Sequence, residues 1–142
     1  MMYKWDAEKA LELVETERIS IFHGVPTMTW EIMQSDKFDS TDLSSLRGVA
    51  SGGASRPPEH LSMMLQKFPA KAIPGLGYGL TETNAIGAII SGAFYAAKPN
   101  STGRPTPPLT SIKIVDENDK TLEQGQVGEI CIKGPTIMKG YW

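Results

Sequence analysis

RGVASGGASRPPEHLSMMLQKFPAKAIPGLGYGLTET, residues 47–83, reads as strand, turn, helix, strand and turn in close succession. Arg47 to Ala50 is a short strand that stops at Ser51-Gly52-Gly53. Pro57-Pro58 then opens a helix whose apolar face is Leu61, Met64, Leu65 and Phe68, at i, i+3, i+4 and i+7. Lys71 to Ile73 reads as another short strand, ahead of a glycine-rich turn from Pro74 to Gly79. Such an order is a βαβ unit, and it predicts a largely parallel sheet.

Upstream the same alternation repeats. Asp6 is placed to cap a helix from Ala7 to about Glu17 with Ala10, Leu11 and Val14 on one face. Ile19 to Phe22 is a β-branched and aromatic run ending near Gly24, read as a buried strand. Pro26 suits the first turn of a helix that runs to about Gln34, and polar Asp36 to Ser45 reads as a loop. Downstream the period changes. Ile112 and Ile114, then Ile130 and Ile132, alternate in the manner of two antiparallel strands, with turns at Asp116 to Lys120 and Gly125 to Gly128. The fold class expected is α/β: part of a layered αβ sheet subdomain (1–102), followed by a short antiparallel β segment (103–142).

The bulk properties exclude several functions. With 142 residues and a formal net charge of −2, the chain offers no basic stripe for nucleic acid. The longest mostly apolar stretch, Ala85 to Ala97, is interrupted by Gly87, Ser91 and Gly92 and falls short of the roughly 20 residues of a membrane span. No secretory leader follows Met1, so a cytoplasmic protein is expected. The single cysteine, Cys131, precludes an internal disulfide and is read as a buried thiol in a strand. His60, on the polar side of its helix, is read as solvated.

The two strand ends at Ser51–Ala54 and Gly77–Thr83 are the candidate site. In a parallel sheet, ligands bind beyond the carboxyl ends of the strands. Glycine lets the backbone come close there. Tyr78 offers a ring that stacks on a base, Thr81 a hydroxyl for a phosphate oxygen, and Glu82 a hard oxygen for Mg²⁺. The same residues also suit a plain Gly-Gly turn and a helix opened by Thr81-Glu82. Spacing alone leaves both open.

Gly77 to Thr83 resembles the Tyr-Gly-x-Thr-Glu signature of the adenylate-forming superfamily, which includes acyl- and aryl-CoA synthetases, beetle luciferases and peptide-synthetase adenylation domains. Asp6 to Leu13, Gly24 to Met28, Asp42 to Arg47, Ser51 to Ala54, Gly103 to Pro105, Gly125 to Glu129 and Lys139 to Trp142 are similar to further landmarks of that family, in family order. The resemblance covers essentially the whole chain.

It implies that Gly52, Gly53, Ala54, Gly77, Tyr78 and Gly79 line the nucleotide pocket, with Thr81 and Glu82 as the catalytic phosphate and Mg²⁺ contacts. His23, Gly24 and Gly79, with Gly52, are implied beside the acyl pocket, although a packed imidazole suits His23 equally. Ser55 and Arg56 stand where relatives commonly carry proline and an aliphatic residue. The implied reaction is ATP-dependent and AMP-forming: a carboxylic acid is activated as its adenylate and passed to coenzyme A. Leu80 in the signature points to acyl-CoA synthetases and luciferase-like ligases, since amino-acid adenylation domains more often carry proline there, with a fatty acid expected first and an aryl acid second. The family's phosphate loop is expected before residue 1. Its ribose-binding aspartate and its lysine-bearing domain are expected after Trp142. On that reading the chain alone is inactive and self-associates. The rival expectation is a non-catalytic α/β domain that binds nucleotide weakly or only pairs with another chain.

Overall fold

A computed structural model describes residues 3–142. Its elements are α1 (Ala7–Thr16), β1 (Ile21–Gly24), α2 (Pro26–Gln34), β2 (Gly48–Gly52), α3 (Pro58–Lys67), β3 (Ile73–Tyr78), β4 (Ala88–Ser91), α4 (Gly92–Ala97), β5 (Arg104–Pro105), β6 (Ser111–Val115) and β7 (Glu129–Lys133). The first five strands form one sheet in the order β1-β2-β3-β4-β5, and β6 pairs with β7 in a second. The architecture is α/β, as the alternation of strands and helices predicts.

Local chemistry explains the helices. The Asp6 carboxylate accepts from the Lys9 amide at 2.9 Å and caps α1, and Ala10, Leu11 and Val14 are its buried residues. Pro26 and Pro58 start α2 and α3, where a missing N–H costs nothing. The buried stripe of α3 is Leu61 and Met64, followed by Phe68 at the cap. Leu65, expected on that face, is half exposed, because the stripe is narrower than the i+4 position allows.

All four helices cover one face of the five-stranded sheet. Val49, Leu46, Leu11, Ile32, Met33 and Met64 share one core, and Leu61, Leu76, Ile90 and Tyr95 form a second beside it. Among the described residues, no helix lies on the opposite face. Ile21, Ile73 and Ile89 stand on it 65%, 55% and 52% exposed, with Gly48, Ala50, Gly52, Gly75 and Gly77 between them in register.

Three expectations about the elements need correction. The sheet is mixed: β1, β2 and β3 are parallel, but β4 and β5 run antiparallel to their neighbours. Pro74 to Tyr78 is strand instead of turn. Pairing with β4 begins only at Gly75, so the missing N–H of Pro74 removes no bond on that side. Strand β1 lies two residues later than expected, because the Ile19 amide still donates to the Val14 carbonyl at the exit of α1. Two side-chain readings also change. His60 is not solvated: its ring stacks on Trp30 at 4.1 Å and 15°, joining α2 to α3. Cys131 is only half-buried, since it pairs with Lys113 in a sheet of just two strands.

Candidate functional site

Three parallel strands end side by side. Gly24 closes β1 opposite Ser51, and Gly52 near the end of β2 lies opposite Gly77 of β3. Gly53, Tyr78 and Thr81 therefore leave the sheet from the same edge, as two glycine segments after parallel strands require. Gly52, Gly77, Tyr78 and Gly79 are half-buried, while Gly53, Ala54 and Thr81 are exposed. The edge is open to a ligand.

The first segment is anchored from below. Gly53 has φ +81°, and an added Cβ would meet nothing nearer than Val25 at 3.9 Å. Ser51 is fully buried, and its hydroxyl accepts from the Arg56 guanidinium at 2.5 Å. Arg56, only 5% exposed, also lies over the Tyr95 ring at 5.8 Å. Burial lowers its pKa, and among the described residues no carboxylate pairs with it. The sequence marked Arg56 as a departure from the family; its burial was not visible there.

The second segment is cross-linked throughout. Thr81–Thr83 is a single 3-10 turn, followed by Asn84 and Ala85 in the left-handed region at φ 50° and 63°. Thr83 is buried, and its hydroxyl oxygen accepts from the Leu80 amide at 2.9 Å. The Thr83 and Ala85 amides both donate back to the Leu80 carbonyl, at 3.1 and 2.9 Å. Gly79 is required by contact: a Cβ there would lie 2.2 Å from the Ala85 carbonyl oxygen. Thr81-Glu82 thus opens a tight turn and not a helix.

Glu82 is the one acidic side chain on this turn, between Thr81 and Thr83. Its carboxyl is held below the usual carboxylate range, first by its own backbone N–H and then by the Tyr141 hydroxyl, which donates to Oε1 at 2.9 Å. Among the described residues no cluster of three or more His, Cys, Asp or Glu side chains holds a metal unaided. A lone carboxylate fits Mg²⁺, which takes one or two carboxylates together with nucleotide phosphates and water. It does not fit a structural metal site built from protein ligands alone.

His23 is exposed, so the packed imidazole does not occur. It stands on the bare face of the sheet beside Ala50 and borders a trough of about 430 Å³ floored by Gly48, Ala50, Gly75 and Gly77. Gly24 lies at the strand end next to it. Of the candidate residues, the trough is lined by His23 and Gly77, and Gly77 lies opposite Gly52 at the strand ends. A second hollow of about 520 Å³, between Val115–Asn118 and Leu122–Glu129, belongs to the hairpin and carries none of the candidate residues.

A family model described as "AMP-binding enzyme" matches residues 1–142. The chain belongs to that family, the adenylate-forming enzymes. It is 38% identical to 4-coumarate–CoA ligase 5 of Oryza sativa subsp. japonica over 152 aligned positions, covering 99% of this chain and 26% of the relative. Against the feruloyl-CoA synthase of Amycolatopsis sp the figures are 36%, 97% and 27%. The fold matches the amide bond synthetase McbA from Marinactinospora thermotolerans with TM-score 0.88 and 28% identity, over 99% of this chain and 28% of that one. It also matches the O-succinylbenzoate coenzyme A synthetase of Bacillus subtilis, solved in complex with ATP and magnesium ion, with TM-score 0.83 and 25% identity over 97% and 27% of the two chains. The chain spans about a quarter of the length of the curated relatives it matches.

Proposed function

We propose that this chain forms the central, adenylate-holding part of an ATP-dependent, AMP-forming acyl-CoA ligase. The observation that carries the reading is the meeting of Gly52-Gly53 and Gly77–Glu82 at adjacent carboxyl ends of β2 and β3. Gly53, Ala54 and Tyr78 would bound the adenine. The exposed Thr81 hydroxyl would donate to a phosphate oxygen, and the Glu82 carboxylate would hold the cation. In the reaction, a carboxylate oxygen of the acid bonds to the α-phosphorus of ATP as the bond to the β-phosphate oxygen breaks and pyrophosphate leaves. Coenzyme A thiol sulfur then bonds to the acyl carbon, losing its proton, and AMP leaves. Negative charge grows on the phosphorus oxygens in the first step, so a donor fixed on a rigid turn lowers that barrier. Bound Mg²⁺ would neutralise part of the same charge.

An aromatic acid is the substrate class we favour. The bare face is flat and floored by glycine and alanine, which suits a slab-shaped ligand between Ile21, His23 and Ile89. The feruloyl- and coumarate-specific names of the two relatives agree with it. A fatty acid, the first expectation from the signature, finds no such support. The test is ATP–pyrophosphate exchange by the full-length product containing this chain, with 4-coumarate and a fatty acid as alternatives. Exchange that depends on the aryl acid is the expected result. Exchange with neither acid, despite tight nucleotide binding, would make this a binding module instead.

A further inference from the structure

The end of the chain crosses the Thr81–Thr83 turn as a strap, joined to it by three hydrogen bonds. Asn84 Nδ2 donates to the Thr136 carbonyl at 2.8 Å, and the Met138 amide donates to the Glu82 carbonyl at 2.8 Å. The third is the bond from the Tyr141 hydroxyl to Glu82 Oε1 at 2.9 Å. The first two fix the position of the strap and engage no carboxylate. Only the third reaches the carboxylate.

Tyr141 is 71% exposed, so core packing does not account for its place. Apart from its own backbone N–H, nothing but Tyr141 restrains this glutamate on an open turn, and a contact within one residue still leaves several staggered rotamers open. A divalent cation carrying nucleotide phosphates needs near-octahedral ligands, and a wandering carboxylate meets that need poorly. Among the described residues no other side chain donates to this carboxylate. We infer that Tyr141 is a positioning residue for Glu82: its hydroxyl donates to Oε1 and so turns Oε2 toward a nucleotide-bound divalent cation. This inference rests on the reading of Glu82 proposed above.

The test begins with the 142-residue chain and needs no turnover. Three-bond couplings of the Glu82 side chain, measured by NMR, report whether one rotamer is held. Wild type is expected to hold one. Tyr141→Phe is expected to average them, while exchange of the Met138 amide changes by less than about twofold, because the strap remains in place. Averaged couplings in the wild type overturn the inference whether or not the variant folds. A single rotamer retained in Tyr141→Phe overturns it too. The second arm uses pyrophosphate exchange in the full-length product. There the Mg²⁺ concentration for half-maximal rate is expected to rise several-fold in Tyr141→Phe, with the rate restored by excess Mg²⁺. An unchanged Mg²⁺ dependence overturns the role assigned to the hydroxyl. Absence of exchange in the wild type instead overturns the ligase reading, and the couplings still decide whether Tyr141 holds Glu82.

Discussion

The two glycine segments at the edge of the sheet are built in opposite ways. Ser51–Ala54 turns once, with Gly53 at φ +81° in open space and a single buried anchor, Ser51 to Arg56, beneath it. Gly79–Ala85 is a closed knot. Its amides return to the Leu80 carbonyl, Thr83 seals it from inside, and residues more than fifty positions downstream strap it from outside. The contrast matches the tasks proposed for them. A wall for a flat base needs only a close, smooth backbone, whereas groups aimed at developing charge need fixed positions.

Substitution sharpens that contrast. Gly79→Ala forces a Cβ to 2.2 Å from a backbone oxygen in the closed segment, so neither partner moves cheaply. Its expected cost is about 3 kcal/mol, at the upper end of overpacking. Denaturant midpoints of the 142-residue chain read it, and a loss under about 1 kcal/mol would show that the knot yields. Thr83→Val keeps the shape but leaves the Leu80 amide without its side-chain acceptor, and about 2 kcal/mol is expected from the same measurement. Gly53→Ala meets no atom and carries only the left-handed backbone penalty, about 1 kcal/mol. Equal costs for Gly79→Ala and Gly53→Ala would erase the distinction between the segments.

Arg56→Leu tests the anchor of the open segment. It removes a buried guanidinium that no carboxylate among the described residues pairs with, together with its hydrogen bond to Ser51 and its contact with the Tyr95 ring. A gain of about 1 kcal/mol is expected, because relief of an unpaired buried charge outweighs a serine hydroxyl left without its donor. Faster amide exchange at Gly52 and Gly53 should accompany it. A loss of stability would mean that the bond to Ser51 outweighs the desolvated charge.

Much of the fold was legible because its determinants lie close along the chain. The α1 cap at Asp6, the prolines opening α2 and α3, and the pairing of Ile112 with Ile132 and Ile114 with Ile130 all follow from local pattern. The failures were tertiary. Glycine in Pro74 to Gly79 reads as a turn, yet β2 and β4 on either side hold Gly75 and Gly77 in a strand. Strand β4 and helix α4 lay unread within the apolar stretch Ala85 to Ala97. Tyr141 appeared only as part of a terminal landmark. Its contact with Glu82 spans 59 residues, and no periodicity reports that.

The central claim is that both segments hold one adenylate. Titrating the 142-residue chain with a non-hydrolysable aryl-adenylate analogue, followed by amide chemical shifts, tests it directly. The account predicts shifts at Gly52, Gly53 and Ala54 together with Gly77 to Glu82, saturating at the same concentration. The hairpin hollow at Val115–Asn118 should stay silent. Shifts confined to that hollow, or two segments responding with different affinities, would contradict it.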